Sequence, residues 1–161
     1  MKISLQGGAS DPCFPSSATV TKADGLIARL DALKEGDKIL ATDEHGKLTT
    51  DTVSLLSIAK PEAQASFVAL TTAANTTLTL TAGHHVPVGA SCCSTLKLAK
   101  DVKVGDTVWA VVRGGFPFKK TVATTVTSIA TTEGKGLHSP VLTQGGFPVV
   151  NGIITAFDFS G

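Results

Sequence analysis

The chain has 161 residues, 17% of them charged, and a formal net charge of +1. That length suits one domain, or two small halves that share a core. The near-neutral balance excludes a basic field for nucleic acid or anionic lipid, and no apolar run is long enough to cross a membrane as a helix.

The opening "MKISLQGGASDP" lacks the apolar core of a secretory signal. It reads as a tail, a remnant of something larger or an appended stretch, so residues 1–12 are set apart from a domain over 13–161. "SATVTKADGLIARL" predicts strand, Asp24-Gly25 turn, strand, because glycine accepts the positive φ of a tight hairpin. "KILATDEHGKLTTDTVSLLSIAK" predicts a second hairpin, turning at residues 43–46, with a long second strand. "SFVALTTAANTTLTLTAGHHVPV" predicts a third, turning near Ala74-Asn75. "DTVWAVV" and "KTVATTVTSIA" are further strands, with Gly114-Gly115 as a hairpin turn between them. "SPVLTQGGFPVVNGIITAF" turns at Gly145-Gly146, with Pro140 and Pro148 at strand ends or edges. Asn151 there reads as a turn or strand residue. Helical periodicity is nearly absent, and only residues 30–34 and 98–102 suit short helical turns. The class is all-β.

Those two turns belong to an internal repeat. "LDALKEGDKILA" (30–41) parallels "LAKDVKVGDTVWA" (98–110), each with a Gly-Asp pair before a strand. "LLSIAK" (55–60) echoes "VTSIAT" (126–131). A period near seventy residues is too long for a solenoid. It predicts two related β-subdomains about a pseudo-two-fold axis.

Two of the chain's four histidines stand together in "TLTLTAGHHVPV". Side chains alternate along a strand ending at Thr81. A bend at Ala82-Gly83 brings Thr81 and His84 to one point, with His85 directed elsewhere. A histidine and a hydroxyl meeting there can protonate and polarise a peptide bond. Among the three cysteines, Cys13 is alone; Cys92 and Cys93 are adjacent, would form only a strained ring, and read as packing or solvent-side thiols. No ligand spacing for zinc is present, and no metal or cofactor is expected.

"CFP" (13–15), the Gly-Asp element, "TLTAGHHVPV" with its T-x-x-H spacing, and "GLHSPVLTQGGFPVVNGIITA" (136–156) occur in that order. Together they resemble the Hint superfamily, the autoprocessing domains of Hedgehog proteins and inteins. The resemblance implies an all-β, pseudo-two-fold, horseshoe-shaped module. It also implies that Cys13 attacks the carbonyl of Pro12, the scissile bond lying between them, to form a thioester. A thiolate is the nucleophile such a step needs, and a planar amide is a poor electrophile. His84 is then the proton donor and Thr81 the hydroxyl that orients or polarises the bond. His138 and Asp51 are secondary candidates.

The chain departs from its resemblances in places. Where sterol-transferring Hedgehog proteins carry an aspartate, it aligns Ile58; where they carry a cysteine near the end, it aligns Phe157. Inteins end in His-Asn, whereas Asn151 precedes glycine. The expected partners are the upstream segment in cis and an acyl acceptor, whether water, a thiol or another nucleophile, with no nucleic acid and with a monomeric domain. Sterol or lipid transfer and a non-catalytic binding module are the rival readings, and a generic β-sandwich ranks below them. Secretion is expected from the resemblance alone.

Overall fold

The computed structural model describes residues 12–111 and 120–156. Eleven strands run along them: β1 (Thr19–Thr21), β2 (Ile27–Arg29), β3 (Lys38–Thr42), β4 (Leu48–Thr72), β5 (Thr77–Leu80), β6 (His85–Val88), β7 (Thr95–Leu98), β8 (Thr107–Val111), β9 (Thr121–Leu142), β10 (Phe147–Val150) and β11 (Ile153–Ile154). The expected all-β class holds. The helical turns shrink to single 3₁₀ turns, Leu30–Ala32 and Ala99–Asp101. No described helix is long and apolar enough to cross a membrane. The Gly114-Gly115 turn and Phe157 lie outside the described residues.

The three early hairpins form as expected. Thr19 pairs with Arg29 across the Asp24-Gly25 turn, where Gly25 has φ +91°. Lys38 pairs with Thr52 across residues 43–47, and Asp43 closes that turn by accepting from the amides of His45 and Lys47. Leu70 pairs with Leu78 across Asn75, at φ +62°.

The repeat is also present, down to single hydrogen bonds. In the first half Lys34 N donates to Asp37 Oδ2 at 2.9 Å, and Lys103 N to Asp106 Oδ2 at 2.9 Å in the second. Gly36 N reaches Val53 O at 2.8 Å and Val53 N reaches Asp37 O at 2.8 Å; Gly105 N to Val126 O and Val126 N to Asp106 O repeat this at 2.8 and 2.9 Å. Each aspartate thus ties its own turn to the long strand beyond. The order β1-β2-turn-β3-β4-β5 recurs as β6-β7-turn-β8-β9-β10. The two long strands, β4 and β9, run antiparallel from Val53↔Leu142 to Thr72↔Val126 and join the halves.

Sequence reading missed four features. β4 does not stop at Lys60: it runs through Pro61 in one 25-residue strand, and the register shift between Lys60 and Gln64 accommodates a residue that has no N–H to give. The turn near Gly145 is present, but β10 pairs with β3, β1 and β11 rather than with β9. β10 and β11 form a hairpin of their own, Val150↔Ile153, across Asn151-Gly152 at φ +51° and +80°. Two positive φ values in a two-residue loop make a type I′ turn, whose twist suits a hairpin. The Cys92-Cys93 stretch is the loop between paired β6 and β7, and the two cysteines are joined as a disulfide. Both are buried with Leu40, Phe147 and Ile154 in a cluster beside the main core.

Asn151 does more than turn the chain. Its Oδ1 accepts from Thr19 N at 2.8 Å and from Thr19 Oγ1 at 3.1 Å, and its Nδ2 donates to Thr77 O at 3.0 Å. Asn151→Ala loses these bonds and puts a Cβ-bearing residue without local polar support at positive φ. It is expected to cost about 2–4 kcal/mol in urea unfolding. Asn151→Gly keeps the turn and is expected to cost roughly 1 kcal/mol less. Equal costs would show that the side-chain bonds, not the backbone, set the loss.

Candidate active site

Cys13 lies between two neighbours that hold it differently. On one side its amide N donates to Thr81 Oγ1 at 3.0 Å, and its carbonyl accepts from Thr81 N at 2.9 Å. On the other side the next residue, Phe14, exchanges both backbone hydrogen bonds with His138, at 2.8 and 2.9 Å. Cys13 is 0% exposed and lies outside the disulfide. Its amide N is the nitrogen of the Pro12–Cys13 bond, so Thr81 grips that bond directly.

Thr81 and His84 flank the bend expected at Ala82-Gly83. The bend is a tight turn closed by His84 N to Thr81 O at 3.1 Å, which puts both side chains into the interior. The His84 ring lies against Phe14, with ring centroids 4.3 Å apart. Its Nε2 is 2.7 Å from the carbonyl oxygen of Ala156. A carbonyl only accepts, so Nε2 carries the proton. Ala156 N in turn donates to His85 O at 3.2 Å, which docks the segment after β11 onto this loop. His85 itself begins β6, paired with Leu98.

His138 sits one step from the Cys13 backbone. Its Nε2 is 2.8 Å from Ser16 Oγ, which donates its own proton to Pro61 O at 3.1 Å. Ser16 Oγ therefore accepts from a protonated His138 Nε2. Opposite Ser16, Gly136 has φ +99°, and a Cβ there would fall 2.6 Å from Ser16 N. Only glycine lets the chain start approach β9 so closely. Asp51 is elsewhere: its carboxylate accepts from Gln144 N at 3.0 Å and Gly146 N at 3.0 Å, so it fastens the turn before β10. Ile58, on β4, pairs with Ser139 and brings no carboxylate.

The structure thus holds Cys13 against Thr81 and His84 against Phe14, the residue after Cys13; it pairs His138 with that same Phe14 and sets Asp51 on a turn. Sequence reading missed the Ala156 carbonyl and Ser16. Neither has a local pattern, since each acts across the fold.

Such a site belongs to the class of all-β, two-half modules in which a cysteine near the start meets a Thr-x-x-His loop. The Hint module family model matches residues 4–157, and the chain belongs to that family. The tiggy-winkle hedgehog protein of Danio rerio is 38% identical over 140 residues; the match covers 84% of this chain and only 33% of that protein. Solved structures with the same fold include a variant of the Ssp DnaB mini-intein, with a TM-score of 0.77, 16% identity and coverage of 94% of this chain and 97% of that one. An intein-like domain from Clostridium thermocellum follows, with a TM-score of 0.70, 16% identity and coverage of 91% and 98%. The fold and family are those of autoprocessing domains.

Burial lowers the His138 pKa below its ordinary 6.5, and nearby Asp31 only partly opposes this. A depressed folded value means that the unfolded chain takes up the proton first. Stability from neutral His138 is complete above about pH 6.5 and is lost as pH falls towards the folded value. His138→Gln keeps an N–H for Ser16 but does not titrate. The Tm advantage of wild type over this variant is expected to narrow as pH falls from about 8 to about 5; a constant gap would place His138 outside the acid response.

Proposed function

We propose that the chain cleaves the Pro12–Cys13 bond in cis. Cys13 Sγ attacks the Pro12 carbonyl carbon, a C–S bond forms, the C–N bond breaks, and the thiol proton ends on the Cys13 nitrogen. The thioester then passes the upstream segment to water, a small thiol or another nucleophile. The observation that carries this reading is the Cys13 N to Thr81 Oγ1 hydrogen bond, which puts a hydroxyl on the leaving nitrogen.

In the resting amide that hydroxyl accepts, which fixes the bond's orientation. As the nitrogen becomes tetrahedral it gains a lone pair, and the same hydroxyl can rotate and donate to it. His84 is the acid. With Nε2 occupied by Ala156 O, proton exchange runs through Nδ1: His84 takes up the proton that the thiol sheds and passes that same proton to the nitrogen, ending neutral. General acid help of this kind is worth roughly 10²–10⁴-fold. The hedgehog relative favours a lipid acceptor and a secreted parent protein, whereas Ile58 stands where a sterol-activating carboxylate would be needed. Hydrolysis or thiol capture is therefore the better reading for this chain.

The test joins a native-like upstream segment to Cys13 and incubates the chain with and without hydroxylamine, reading intact mass. Cleavage between residues 12 and 13 is expected. Cys13→Ala abolishes it, His84→Ala slows it by about 10²–10⁴-fold, and Thr81→Val slows it by about tenfold or more. A released free acid supports hydrolysis, and a lipid adduct from cells would replace that reading with lipid transfer. Cleavage that survives Cys13→Ala, or none from a folded chain with several residues tried in place of Pro12, overturns the proposal.

A further inference from the structure

The exchange of both hydrogen bonds between Phe14 and His138 fixes more than those two residues. In an antiparallel ladder the next pair along is a non-hydrogen-bonded one, with its side chains on the same face and closer together. One residue back from Phe14 is Cys13, and one residue on from His138 is Ser139. Cys13 agrees with this placement, since its own N–H and C=O turn away from β9 to Thr81. Ser139 is therefore directly across from the nucleophile. It is 1% exposed, and its hydroxyl has no hydrogen-bond partner among the described residues.

A buried hydroxyl without a partner is rare and calls for a reason. Ser57 Oγ takes the Ser139 carbonyl at 3.0 Å and leaves the Ser139 hydroxyl alone. His84 does not share this face. Its ring packs on Phe14, whose side chain points to the side opposite that of Cys13. Thr81 is occupied with the Cys13 amide. Of the groups placed so far, Ser139 is the one on the sulfur's own side.

We propose that Ser139 Oγ–H is a catalytic donor to Cys13 Sγ, poised for the thiolate and kept through attack on the Pro12 carbonyl. Ser139 Oγ makes no hydrogen bond to Cys13 Sγ in the resting protein; a neutral thiol is a weak acceptor, and the bond forms when the sulfur becomes charged. A thiolate is a strong one, and a fixed donor in a closed site costs no reorganisation when the charge appears. The thiol proton that leaves as the charge forms ends on the Cys13 nitrogen, so the step needs no further reagent. The inference rests on the reading that Cys13 is the nucleophile.

The test is the pH titration of thiolate ultraviolet absorbance in the full chain, taken as the difference from Cys13→Ala. It is run alongside the pH profile of cleavage with the upstream segment attached. Ser139→Ala is expected to move the thiolate midpoint up by about one pH unit, because a hydrogen bond to the charged form favours it. The cleavage rate near neutral pH is expected to fall by roughly tenfold, with the rising limb of its profile shifted the same way. Its Tm is expected to hold or rise, since a buried hydroxyl without a partner has been removed. A purely structural Ser139 would lower Tm and leave the midpoint unmoved, and that result overturns the inference. If wild type cleaves and Ser139→Ala changes neither midpoint nor profile, this inference fails and the proposed function stands. If wild type does not cleave but the midpoint shifts, the proposed function fails and the Ser139–Cys13 contact stands.

Discussion

Two backbone hydrogen bonds, between Phe14 and His138, set where Cys13 sits. They pin the residue after Cys13 to a strand 124 positions away in sequence. With Phe14 fixed, Cys13 has no freedom to choose its neighbours. Its amide must face the loop after β5, and its side chain must face inward. Gly136 allows the approach, and Ser16 with His138 closes it from the side. The bridge is thus the datum from which the Cys13 thiol, the Cys13 amide nitrogen and the hydroxyl of Thr81 are all measured.

The pseudo-two-fold fold explains why such a bridge is available. Each half turns a Gly-Asp pair back onto a long strand, and the two long strands then pair with each other. Neither half could bury its own apolar face. The shared core, from Val20 and Ile39 in one half to Val108 and Val126 in the other, needs both. The duplication also leaves the two halves free to differ at equivalent loops. The first carries the T-x-x-H bend after β5, while the second carries the Asn151-Gly152 turn after β10.

What could be read in advance was local or repeated. Asp24-Gly25 and the acidic turn at residues 43–46 declare hairpins because their residues accept the necessary backbone angles. The Gly-Asp echo declares two halves because the same short-range bonds recur. Strand partners are another matter. Nothing near Phe147 says that it will pair with Thr42 rather than with β9, since that choice is made by the packed core. Pro61 reads as a stop because a proline cannot donate to a ladder, yet a bulge absorbs it. Asn151 reads as turn or strand, and the Gly152 that follows decides for the turn, because an Asn-Gly pair is a strong signal for it. In the site, spacing brought Thr81 and His84 to one bend, and the resemblance to the Hint family pointed to Cys13 and to the roles of all three. The partners that hold them are backbone atoms of Ala156 and His138, and a backbone carbonyl has no signature in a sequence.

The candidate site exists only in the complete fold. Cys13 is placed by β9, Thr81 by the loop after β5, and His84 by the segment that follows β11. Ala156 holds His84 Nε2 only if β11 has found both β10 and β8, and those contacts in turn require β10 to lie between β1 and β3. A chain folded over its first half alone would have Cys13 and Thr81 in sequence but neither His138 nor Ala156 to position them. Non-local pairings of this kind form late, because the entropy of closing long loops comes before any contact that offsets it. Cys13, Thr81 and His84 are therefore held by contacts that span both halves of the chain. On the proposed reading, that distribution keeps the cleavage chemistry out of an incompletely folded chain.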